Sequence, residues 1–225
     1  MLKRILCGAT LLCAAGFSNA GIIVQSFTVD RQLTNFFQTI SFNQFNDMGG
    51  TLILESVQFE LFARSSGSVR AENLSNTRSS SVTATLSTDI RLLDSSDALL
   101  LEAAPSVTNT VSLGTFDGMI DFDGTSGQTF LGLETNDFAS TILLDGPSLA
   151  TYTGLGMETV KFDVTATSFV MGGGNLISGA RTFASGDVVV TYIFEEVNRV
   201  VSSPTQVALL GLGLLALAGL RKTKK

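Results

Sequence analysis

The 225-residue chain contains no histidine, no tryptophan, two cysteines and three prolines, and only 15% of it is charged. Each shortage excludes something. Without histidine there is no neutral imidazole to serve as a base and no histidine-ligated zinc. Two cysteines cannot build a multi-disulfide scaffold. Globular proteins carry about a quarter charged residues, so the surface here is dressed with Ser, Thr, Asn and Gly, and disorder through high charge is excluded. What charge there is divides unevenly. Lys3, Arg4, Arg221, Lys222, Lys224 and Lys225 stand at the ends, while the other eight basic residues share residues 21–203 with all twenty acidic ones, leaving −12 on the body. No nucleic-acid partner is expected of such a body, because phosphate binding needs a basic stripe.

The first segment has the layout of a secretory signal peptide over residues 1–20. Lys3 and Arg4 precede an apolar run, and Ser18, Asn19 and Ala20 supply small residues for signal peptidase, which puts the mature N-terminus at Gly21. Cys7 and Cys13 both lie in this segment and each follows a leucine, so an acylated lipoprotein cysteine is not expected. The mature chain then has no cysteine, and no disulfide contributes to its stability.

At the other end, residues 207–220, bounded by Val207 and Leu220, read VALLGLGLLALAGL and are followed by RKTKK. Fourteen residues are short for a permanent span, since a helix needs about 20 to cross a hydrocarbon core. Snorkelling by Arg221 and Lys222 extends the reach, and the terminal cluster with Lys224 and Lys225 would stay in the cytoplasm. Gly211, Gly213 and Ala216 match a dinucleotide fingerprint, but no βαβ unit surrounds them, so no cofactor is expected.

The order of Pro204, polar spacer, Gly/Leu-rich run and basic cluster resembles the PEP-CTERM sorting tail of Gram-negative bacteria. The resemblance implies processing by an exosortase, an integral-membrane enzyme, with transient residence in the inner membrane and delivery of the body to the cell surface or an exopolysaccharide matrix. Ser202 and Ser203 stand where the family has Pro and Glu, and only Pro204 matches. Retention of the tail (201–225) as a permanent membrane anchor is therefore the alternative.

Between these ends, residues 21–200 read as one exported domain with a periodicity of two. In residues 81–92, Val82, Ala84, Leu86, Ile90 and Leu92 share a face, with Thr88 its one polar member. Residues 57–61 and 160–166 alternate likewise, and the β-branched run 188–194 predicts a more deeply buried strand. Residues 47–50, 65–68, 123–127 and 172–175 are expected turns, and residues 94–104 allow one short helix. These elements predict an all-β fold, an antiparallel β-sandwich with jelly-roll topology as one way to connect it, flanked by the signal peptide and a C-terminal apolar helix. Of the chain's sixteen phenylalanines, the fifteen beyond the signal segment would furnish its core.

The body resembles the choice-of-anchor E type of bacterial surface domain. The residues that carry this are FNQFN at 42–46 before GGTL at 49–52, DGMIDFDGTSG at 117–127, and YTGLG at 152–156 followed by the strand at 188–194. The resemblance implies an exported domain with no established catalytic activity.

Candidate chemistry is sparse. Asp117, Asp121 and Asp123 form the one acidic cluster in a glycine-bearing loop; solvated charge is the expected role and calcium ligation the alternative. G-x-S-x-G and S-x-x-K are absent from the body, and Lys161, its sole lysine, falls at a solvent-facing strand position. No enzyme is expected. Two functions fit: a structural protein of the cell surface or biofilm matrix, or a carbohydrate-binding module or adhesin. Tyr152 and Tyr192 are the only aromatics besides phenylalanine, which disfavours the second.

Overall fold

The computed structural model describes residues 20–197, which form ten strands and one short helix. The strands are β1 (Ala20–Leu33), β2 (Phe36–Asn43), β3 (Leu52–Asn73), β4 (Ser80–Leu93), β5 (Leu99–Ala103), β6 (Ser106–Leu113), β7 (Gly127–Leu143), β8 (Met157–Ala166), β9 (Phe169–Gly172) and β10 (Leu176–Glu196). The helix, α1 (Gly146–Thr151), begins with Pro147 in its first turn, where a missing N–H costs nothing.

Two antiparallel sheets face each other. The first has the order β1-β10-β3-β7 and the second β2-β8-β4-β5. β4 is the hub of the second: residues 80–87 pair with β6 and residues 82–85 with β9, whereas residues 88–93 pair with β8 and residues 90–93 with β5. Pro105, lacking an N–H for the ladder, separates β5 from β6.

Inward side chains from both sheets make one large core containing Phe42, Phe59, Leu61, Ile90, Phe162 and Val190. Phe42 meets Phe59 edge-on at 6.1 Å and stacks on Tyr152 at 6.2 Å. Burial of each such ring contributes about 1.5–3 kcal/mol. Other phenylalanines are surface residues, among them Phe37, Phe62 and Phe138. A belt of hydroxyls crosses the interior: Ser65 hydrogen-bonds Thr88, and Ser168 meets Thr182 at 2.8 Å. Thr88, the polar member of an apolar face, thus has a partner. Beyond the belt lie two smaller clusters, one around Val69 and Leu86, the other around Val82 and Leu113.

The expected alternation on β4 and β8 is present. Three expectations are corrected. Residues 65–68 are not a turn but the middle of the 22-residue β3, with a bulge between Gly67 and Val69. Residues 94–104 form no helix: Asp94 Oδ1 accepts from the Ser96 and Ala98 amides, closing a turn, and β5 then pairs with β4. This is the local competition by which aspartate favours turns over helix. The run 188–194 is buried on one face only, with Val188, Val190 and Tyr192 inside and Val189, Thr191 and Ile193 half-exposed.

Candidate functional site

The two ends of the body lie side by side. β1 enters the sheet with Ala20 opposite Glu195 and Gly21 opposite Phe194, and the Val197 amide donates to the Thr51 carbonyl at 2.8 Å. A Cβ at Gly21 would stand 2.2 Å from the Phe194 ring, so a side chain there requires that ring to move. Ala20 is exposed, but its bond to Gly21 is part of the strand, so cleavage there requires β1 to be unpaired. The rest of the signal segment, with the tail residues Ser202, Ser203, Pro204, Val207, Leu220, Arg221, Lys222, Lys224 and Lys225, lies outside the described residues. No helix among the described residues is long and apolar enough to cross a membrane.

The acidic loop uses its aspartates locally. Asp117 accepts from the Met119 amide at 3.1 Å, Asp121 from the Asp123 amide at 3.0 Å and Asp123 from the Gly124 amide at 2.8 Å. The amide of Met119 outweighs the opposing effect of desolvation and holds the Asp117 carboxyl below the usual carboxylate range. Among the described residues no three acidic, histidine or cysteine side chains are grouped to hold a metal ion.

A different carboxylate organises this loop. Glu72, at the end of β3, is fully buried; it accepts from the Phe122 amide at 2.7 Å and from Ser126 Oγ at 2.5 Å. Beside it Asn73 donates to the carbonyls of Arg78 and Gly114. Gly127 permits the close approach, as a Cβ there would lie 2.4 Å from Glu72 Oε2. Residues 114–126 are therefore strapped to the sheet by two buried polar side chains. In sequence, Glu72 alternates as a solvent-facing residue, and its partner loop arrives fifty residues later.

The outer face of the first sheet carries the densest chemistry. Phe62 and Phe138, cross-strand partners on β3 and β7, are 40% and 50% exposed with ring centres 4.8 Å apart. Next to them Arg64 reaches Asp187 at 2.6 Å, and Thr28 donates to the same carboxylate at 2.8 Å. Desolvation alone would raise the Asp187 carboxyl; the hydrogen bonds from Arg64 and Thr28 and the arginine charge reverse this and lower it. Arg31 donates to Ser66 Oγ at 2.8 Å, and its guanidinium carbon lies 3.6 Å from the Phe183 ring centre. Arg181 approaches the same ring at 5.1 Å, and Arg70 lies 4.3 Å from the centre of Phe122. A cleft of about 430 Å³ opens among Arg31, Arg64, Ser66, Glu134, Asn136 and Ser185. A second, of about 340 Å³, is lined by Ser68, Arg70, Asp121, Phe122, Leu131 and Arg181, among others. On the opposite sheet Lys161 is engaged by Asp97 and Arg91 by Asp163.

No family model matches the chain, and no curated protein does. Solved structures of infectious bursal disease virus align weakly. A chain of its T13 particle is 10% identical over 85% of this chain and 44% of its own length, with a TM-score of 0.18. A chain of the Gx strain is 9% identical over 86% and 42%, with a TM-score of 0.22. The protein thus spans less than half the length of those viral chains, and at these scores the likeness carries no argument.

Proposed function

We propose that this is an exported, non-enzymatic protein of the cell surface or extracellular matrix, released from a signal peptide at Ala20-Gly21 and sorted by its C-terminal tail. The observation that carries the reading is the adjacency of the two ends. With Ala20 opposite Glu195, the described residues begin and end at the same end of the same sheet. A body held at that end by the tail presents its other loops and both outer sheet faces away from the bilayer. The strand orders β1-β10-β3-β7 and β2-β8-β4-β5 support a jelly-roll connection, in which the chain crosses between the sheets at each step from β1 to β4 and again from β6 to β7 and β7 to β8.

The signal segment engages signal peptidase, and the tail engages an exosortase-like enzyme acting near Ser202, Ser203 and Pro204 while residues 207–220 sit in the inner membrane. Deleting residues 207–225 tests the reading. The body should fold with an unchanged melting temperature, because β10 closes its sheet before the tail begins, yet reach the periplasm or medium unsorted. A truncated chain that still reaches the cell surface in full would contradict it. A second reading, a carbohydrate-binding module or adhesin, is favoured by the exposed Phe62–Phe138 pair, since phenylalanine faces can pack against sugar rings.

A further inference from the structure

Seven basic residues lie among the described residues, and four of them, Arg31, Arg64, Arg70 and Arg181, occupy one half of the outer face of the first sheet or its rim. The register sets Arg64 beside Ser185, Phe183 beside Ser66, Arg181 beside Ser68 and Arg70 beside Gly179. At about 3.3 Å per residue the stripe runs about 20 Å along β3, the length of a polymer segment rather than of a single small molecule.

The body carries −12, so acidic partners for these arginines are plentiful in composition. Yet among the described residues no carboxylate lies within 4.0 Å of the side-chain nitrogens of Arg31, Arg70 or Arg181. Their guanidinium groups lie against Phe183 and Phe122 instead. A guanidinium held over an aromatic ring carries five N–H donors, of which Arg31 gives one to Ser66, and the others can meet a planar anion such as a carboxylate. Between the arginines stand neutral hydrogen-bonding groups, Ser66, Ser68, Ser185 and Asn136, and at the far margin the exposed Phe62–Phe138 pair.

We propose that this face binds a carboxylated polysaccharide, with arginines taking the uronate carboxylates, serines and Asn136 the hydroxyls, and the phenylalanines a sugar face. Nucleic acid fits less well. Glu134 and Asp121, which line the two clefts and repel any anionic group brought to them, can accept hydrogen bonds from the free hydroxyls of a polyuronate, which duplex DNA does not offer. The proposal rests on the carbohydrate-binding reading and names its ligand class; it is independent of how the tail is processed.

The test immobilises the full chain in detergent and measures binding of polygalacturonate, of dextran as a neutral polymer, and of duplex DNA. Polygalacturonate should bind with an affinity that falls as salt rises, and dextran and DNA should bind more weakly. Arg70→Gln and Arg181→Gln should each weaken polygalacturonate binding at least about fivefold. Arg91→Gln removes the same charge from the opposite sheet and should change it by less than about twofold. Melting curves of each variant establish that it is folded. The proposal is overturned if polygalacturonate does not bind, if dextran or DNA binds as tightly, or if all three variants behave alike. Such a result leaves export and sorting standing, whereas cytoplasmic residence of the protein would remove those and leave the binding intact.

Discussion

Tyr152 and Tyr192 are the chain's only tyrosines, and both are core residues, with the Tyr192 hydroxyl donating to the Asn43 carbonyl at 2.9 Å. Burial, assisted by the Asp94 and Glu158 carboxylates, pushes Tyr152 up to about 12, and burial raises Tyr192 as well. The folded state therefore keeps protons that the unfolded chain loses near pH 10. The resulting stability is complete below about pH 10 and is lost as the pH climbs toward 12. Asp187 has the opposite sign: its lowered pKa contributes stability above about pH 3.9 that disappears as the pH falls below it. We predict that tyrosinate absorbance of the folded protein stays flat past pH 10 and rises only together with loss of the β-sheet circular dichroism signal. A titration midpoint near 10 with the sheet intact would contradict the placement of both rings. At this scale the sequence was partly legible. The arginines of β3 share a face by simple alternation, but Ser65, Ser66, Gly67 and Ser68 look like a turn, and a turn there breaks the parity linking Arg64 to Arg70.

Strands were readable wherever one face is buried and the other wet, as on β4 and β8, because alternation is then required by burial itself. Sequence pattern and structure part where local composition and tertiary pairing disagree. Residues 94–104 allow a short helix by sequence, yet Asp94 closes a turn and Leu101 and Ala103 fill the core from β5. The loop of residues 114–126 is the least legible element, since its anchors, Glu72 and Asn73, belong to a strand far away in sequence. Glu72→Ala leaves the Phe122 amide and Ser126 hydroxyl without their acceptor and should cost roughly 1–3 kcal/mol of stability. Residues 114–126 should then become the first site of limited proteolysis, while Glu72→Gln, which keeps an acceptor oxygen, should lose less. Unchanged stability and an unchanged cleavage pattern in Glu72→Ala would show that the strap contributes nothing.

For the whole molecule, the resemblance of the tail and the layout of the signal segment imply export and sorting, but neither says where the body's two ends lie. Topology adds where the described residues begin and end: β1 and β10, the first and last strands among them, are neighbours, and Ala20 lies opposite Glu195. The intact mass of the protein recovered from the surface of its native cell tests export and sorting most directly. It should correspond to a chain that begins at Gly21 and ends near Ser202, Ser203 and Pro204, without residues 207–220. A surface form that retains Met1, or that still contains the run from Val207 to Leu220, would contradict it, the latter making the tail a permanent anchor.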